Sequence, residues 1–319
     1  MKRINNKLFI ISLFLLSASA QVYASGAKMP DIATAGDPTS NGTTPITPTP
    51  TPLPTSTPSP SPTPTPPVVT NPGGPYIEQI KTLAGNSTCA NTSWAGRGKA
   101  PAGYIKGVTL SYARSLCRLK ANSSLSKIMS AASSGNAAKD ALAHYDSVFA
   151  TLPISVAVAG QEPLRALYTL GLGLGMRESS GSFCEGYDRS AGSNRPSSAV
   201  EAGAFQTSYD SMTASPELSK LYAEYKATPE RCFLDVFKQG TNCGTTSTLG
   251  SGEGAVYQKL NLSCPAFATE YAMTVLRILR GHYGPINRKE AQVIPACNQL
   301  LKSVQDLIDN DPYACKDIM

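Results

Sequence analysis

The sequence predicts a mainly α fold with a small irregular or β-hairpin insertion, stapled by disulfides. Three observations carry that expectation. Apolar residues recur at helical spacing along most of the chain after residue 75, a polar, turn-rich stretch interrupts them from Gly181 to about Ser215, and all eight cysteines lie downstream of an export-type N-terminus.

That N-terminus comes first. Lys2, Arg3 and Lys7 precede the apolar run Leu8 to Leu16, and Ala18-Ser19-Ala20 supplies small residues at a cleavage point, so residues 1–20 read as a secretory signal peptide. The apolar run is shorter than the ~20 residues a membrane helix needs, and no later stretch reaches that length. No stable membrane insertion is expected after cleavage, and the protein is expected to be secreted or periplasmic. Residues 21–75 read as a disordered linker, almost entirely Pro, Thr and Ser from about Asp37 onward. Prolines lack the amide donor and favour polyproline II, which makes this a semi-rigid spacer of about 100 Å when extended. Residues 76–319 are long enough for one domain with a substantial core.

Within that domain "VTLSYARSLCRLKA" places Leu110, Ala113, Leu116, Cys117 and Leu119 on or near one helical face. "EPLRALYTLGLGLGMRESSG" offers Pro163 to a first turn and then Leu164, Leu167, Leu170 and Leu174. "PELSKLYAEYK" and "CPAFATEYAMTVLRILRGHYG" repeat the spacing, and "CNQLLKSVQDLIDNDP" adds a helix that stops before Pro312. The "GLGLG" run lacks the G-x-G-x-x-G spacing after a strand, so a nucleotide loop is dismissed.

Cys89, Cys117, Cys184, Cys232, Cys243, Cys264, Cys297 and Cys315 make an even set suited to disulfides. Spacing does not fix the pairing, although Cys89 with Cys117, Cys232 with Cys243 and Cys297 with Cys315 are near enough in sequence for local staples. No Cys-x-x-Cys pair exists and His144 and His282 are the only histidines, which argues against a metal site, and no cofactor is expected. The formal charge of +6 falls to +3 once the three signal-peptide cations leave. With no Lys/Arg stripe interleaved with aromatics, no nucleic-acid partner is expected.

One carboxylate stands out. Glu178 lies four residues beyond Leu174, on the same helical face, at the edge of the core and near the helix C-terminus. Burial and the negative end of the helix dipole both disfavour its charged form, so its pKa should rise. A carboxyl that keeps its proton near neutral pH suits a general acid acting on a poor leaving group such as a glycosidic oxygen. Arg177 would cancel the effect by pairing with it. Ten residues on comes Asp188, with Glu185 between; a glycosidase needs two carboxyl groups about 5 Å apart for a nucleophile, or about 6.5 to 9.5 Å if water must fit. Asp188 is equally suited to a turn.

"MRESSG" followed by "EAGAFQTS" (Glu201 to Ser208) resembles the goose-type lysozyme and soluble lytic transglycosylase superfamily, where a Glu-Ser-x-Gly-like helix end precedes a Gly-Leu-Met-Gln-like turn. Here that turn is Gly203-Ala204-Phe205-Gln206. The resemblance covers roughly residues 160 to 290, including "RGHYGPINR", where the family has a tyrosine-bearing segment over the cleft. It implies a lysozyme-like catalytic domain with Glu178 as the catalytic acid and Gln206 as a sugar-binding amide. Tyr283 would hydrogen-bond near the acid, and Ser208 and Tyr209 would touch substrate. Three departures from the family pattern bear on the reaction outcome: a longer stretch between the motifs, Phe205 for the usual Met, and no Asn-Ala-Gly after the tyrosine. The inserted stretch supplies Asp188 and Glu185, which favours water as the attacking group. It also resembles a subgroup of exported bacterial lysozymes, some of which prefer deacetylated peptidoglycan.

The expected function is therefore a monomeric, exported muramidase cutting the β-1,4 bond between N-acetylmuramic acid and glucosamine units of peptidoglycan glycan strands. Glu178 would serve as general acid and Asp188 as the base for water. The competing expectations are a lytic transglycosylase forming 1,6-anhydro ends and a non-catalytic wall-binding module on a stalk.

Overall fold

A computed structural model describes residues 74–189, 194–244 and 246–319. The expected signal peptide and nearly all of the Pro/Thr/Ser stretch lie outside the described residues. Helices dominate the described part, as the periodicity predicts, and the longer ones are α1 Pro75–Asn86, α2 Ala102–Lys120, α3 Gln161–Ser179, α4 Pro216–Ala227, α5 Gly252–Ser263, α6 Pro265–Ile278 and α7 Pro295–Asn310. Four of them, α1, α4, α6 and α7, begin on proline, whose missing N–H lacks an intrahelical partner in the first turn anyway. At α4 the Ser215 hydroxyl also accepts from Glu217 N at 3.2 Å, a side-chain N-cap.

Helix α2 is the axis of the domain: α1, α3, α6 and α7 all pack on it. One apolar face is too little to describe it, because every residue from Gly103 to Arg118 except Lys106 is buried. The polar face is buried by pairing. Arg118 donates Nη2 and Nη1 to Glu224 at 2.6 and 3.0 Å and lies 3.6 Å from the fully buried Glu270, while Arg114 donates Nη1 to Tyr225 Oη and to the Arg231 carbonyl, both at 2.7 Å. Buried charges persist when partnered in this way.

The glycines of "GLGLG" serve packing. A Cβ at Gly173 would sit 2.1 Å from the Gln292 carbonyl, so the 290 segment can lie against α3 only because that atom is absent. A Cβ at Gly175 would meet Tyr104 Oη at 2.2 Å, and that hydroxyl donates to Leu172 O at 2.9 Å.

The disulfides are Cys89–Cys297, Cys117–Cys315, Cys184–Cys243 and Cys232–Cys264. None of the three short-range pairings expected from spacing forms; partners are set by which helices touch, and α1's end meets α7 while α2 meets the C-terminal turn. The first two bonds close separations of 208 and 198 residues. In the chain-entropy account each such closure stabilises the fold by on the order of 5 kcal/mol. The hairpin is also displaced from its expected place. It comprises β1 Ser93–Trp94 and β2 Gly98–Lys99, paired Ser93 to Lys99 and Trp94 to Gly98, between α1 and α2. The described parts of the stretch from Gly181 to Ser215 carry turns, short 3-10 segments and a single bridge, Ala202 to Thr207. No helix among the described residues is long and apolar enough to cross a membrane.

Candidate active site

Helix α3 ends where Ser180 and Gly181 turn left-handed, at φ 57° and 76°. Glycine adopts that backbone without strain and serine rarely does, so the reversal is held from outside. The clasp is Ser179, whose buried hydroxyl lies 2.9 Å from the Ala204 carbonyl and 3.1 Å from Gly175 O. The helix end is thereby fastened to the second motif. There Gly203, at φ 82°, opens a tight turn flanked by the Ala202–Thr207 bridge, and its N–H donates to Glu185 O at 2.9 Å. Phe205 is buried beneath the helix end beside Tyr104, with ring centroids 6.4 Å apart. A large apolar side chain is what this position needs, and Phe fills it in place of Met.

Glu178, in the last turn of α3, is half-buried, and its carboxyl is pushed up to about 7, first by burial and second by the negative charge of Glu201. Arg288, Arg97 and Arg177 oppose the rise without cancelling it. Arg177 is engaged elsewhere, donating Nη2 to Glu290 at 3.0 Å, as Arg288 does through Nε at 2.8 Å and Nη2 at 3.0 Å. Among the described residues no protein group donates a hydrogen bond to the Glu178 carboxyl. It is therefore raised in pKa and uncommitted, the state a proton donor requires.

Glu201 had no role in the sequence reading, although it opens the second motif. It is half-buried, its carboxyl is raised by burial and by the charge of Asp188, and Arg195 opposes the rise. Its Oε1 lies 4.0 Å from His282 Nε2, a buried nitrogen without a hydrogen-bond partner among the described residues. Burial lowers the His282 pKa, with the Gln206 carbonyl opposing, so the ring favours its neutral form. No periodicity marks Glu201; only the turn that brings residues 201–206 against α3 reveals it.

The other expected residues divide. Asp188 is exposed, and its charge acts on Glu201; it is not among the main influences on Glu178. With Glu185, Tyr187, Arg189, Asn242 and Cys243 it lines a polar recess of about 390 Å3, one loop away from Glu178. Gln206, at φ 47°, gives both Nε2 protons to the protein, to Gly203 O at 2.9 Å and Gly186 O at 3.2 Å. As a donor it is a clamp between two loops, and only its Oε1 remains for a sugar. Ser208 is buried, which leaves its hydroxyl little surface for the expected substrate contact, and its carbonyl accepts from Ser211 Oγ at 2.6 Å. Tyr209 packs into an aromatic cluster with Tyr222 and Tyr257 at centroid distances of 6.2 and 5.9 Å. Tyr283 is buried, which removes it from direct substrate contact; burial and then the charges of Glu178, Tyr271 and Glu201 keep its hydroxyl protonated. Its hydroxyl donates to the Ala272 carbonyl at 3.4 Å. No group of three or more His, Cys, Asp or Glu with metal-site geometry occurs among the described residues.

No family model, curated protein or solved structure matches the chain.

Proposed function

We propose that this chain is an exported peptidoglycan-cleaving glycosidase of the goose-type lysozyme kind, cutting the β-1,4 bond after N-acetylmuramic acid with Glu178 as the general acid. The observation that carries the reading is the Glu178 carboxyl: half-buried, raised to about 7, without a hydrogen bond from the described residues and under the negative charge of Glu201. Such a group holds a proton at neutral pH and releases it to a glycosidic oxygen as the bond breaks. Glu201, whose charge acts on Glu178, stabilises positive charge developing at the anomeric carbon, while Asp188 on the exposed loop activates water.

The exposed position of Asp188 also supports a second reading, lytic transglycosylation. If no base engages water at the sugar, the muramic acid hydroxyl closes on the anomeric carbon and leaves an anhydro end. Incubating purified protein with native and with chemically deacetylated peptidoglycan, followed by mass spectrometry, separates these readings, since reducing and anhydro ends differ by one water. Replacing Glu178 by Gln should lower the rate by about 10²–10⁴-fold. Soluble fragments released at an unchanged rate by that variant would sink the assignment, and polymer binding without any release by the wild type would leave a wall-binding module.

A further inference from the structure

Charges of both signs act on Glu178: Glu201 is negative, with Arg195 and Asp188 acting on it in turn, and Arg97, Arg177 and Arg288 are positive. The tip of the β1–β2 hairpin brings exposed Arg97 to the carbonyl of Arg177, to which its Nη2 donates, so this guanidinium is anchored one residue from the acid. It meets no carboxylate within 4.0 Å among the described residues. Arg177 and Arg288 share one carboxylate, Glu290, at 3.0 and 2.8 Å. Three guanidiniums against one carboxylate leave a surplus of positive charge. The Arg288 side chain is 62% exposed, and Arg177 Nε is buried without a hydrogen-bond partner among the described residues.

We propose that Arg97, Arg177 and Arg288 form an anion-recognising rim that binds the carboxylates on the muramic-acid units of the strand and so sets its register over Glu178. This rests on the glycosidase reading. The reason lies in the polymer: muramic-acid units bear a lactyl group and its peptide, both sources of carboxylate, whereas N-acetylglucosamine bears none. A register that sets the strand's carboxylates at these guanidiniums is favoured over one that sets them at Glu201, where like charges would meet. Guanidiniums are the side chains suited to this, since their planar fork matches a carboxylate with two donors.

The test uses Glu178→Gln protein, which leaves glycan uncut and removes the titrating carboxyl, and compares it with Glu178→Gln carrying Arg97→Gln and Arg288→Gln. Calorimetry follows three ligands of equal length: peptide-bearing strands, strands stripped of peptide by an amidase to expose the lactyl carboxylate, and chitin oligomers. Affinity for the carboxylate-bearing strands should fall about fivefold to tenfold, be partly restored by Lys at both positions, and stay unchanged for chitin oligomers. Loss confined to peptide-bearing strands names the peptide as the anion, loss confined to stripped strands names the lactyl group, and loss on both shows that the rim takes either carboxylate. Equal change on all three ligands, or none, overturns the rim and leaves the glycosidase reading standing. If Glu178→Gln protein binds none of them and the wild type releases no fragments, both fail.

Discussion

Two glutamates in this molecule share burial and differ in company. Glu270, in the centre of α6, is fully buried and lies between Arg118 and Arg114, with Tyr225 Oη donating to it at 3.2 Å and Ser115 Oγ at 3.4 Å. Glu178 is half-buried beside another carboxyl and accepts no hydrogen bond from the described residues. Burial raises the pKa of both. On the proposed reading, what separates a structural carboxyl from a proton donor is whether donors and cations hold it. In the core they do, and the group is fixed; at the end of α3, Arg177 and Arg288 are drawn to Glu290 and Arg97 to the Arg177 carbonyl, and none of them holds the Glu178 carboxyl.

The largest way to break this comparison is at the acid itself. Glu178→Gln should remove nearly all cleavage, yet raise stability at alkaline pH. The sign follows from linkage: a folded-state pKa near 7, above the ordinary 4.5, means the native state binds the extra proton and loses stability as pH rises from about 4.5 through 7. Melting curves should therefore show the variant above wild type at pH 8 and level with it at pH 4. Glu270→Ala should act the opposite way, costing about 3–5 kcal/mol in denaturant titrations by leaving Arg118 short of a partner.

Glu201→Gln sharpens the contrast more gently. Removing that negative neighbour lowers the Glu178 pKa, so the falling limb of the pH–rate profile, set by loss of the acid's proton, should move to lower pH. Arg177→Gln should move the same limb slightly upward, because it removes a charge that opposes the rise. A limb that stays in place in both variants would mean that another group sets it.

The helical framework was legible because packing faces leave a period in the sequence: Leu164, Leu167, Leu170 and Leu174 count out α3 and deliver Glu178 to its edge. Its raised pKa was partly legible for the same reason, through burial. The neighbour that adds to it was not, since Glu201 lies in a turn whose direction is set by the Ser179 to Ala204 contact and Phe205 beneath the helix. Turn residues carry no period, which also explains Gln206, Ser208 and Tyr209: their types suit sugar contact, and only the tertiary fold shows them turned to backbone, buried or stacked. The disulfide partners were hidden likewise, because adjacency of α1 with α7 and of α2 with the C-terminus leaves no mark in local spacing.

The two long crosslinks, Cys89–Cys297 and Cys117–Cys315, overlap along the chain. A protease that nicks any loop between residues 89 and 315 consequently cannot release a fragment, because at least one bond always bridges the cut. Such clipped molecules would run as a single species until a reductant is added, and would keep their shape in surroundings rich in hydrolytic enzymes.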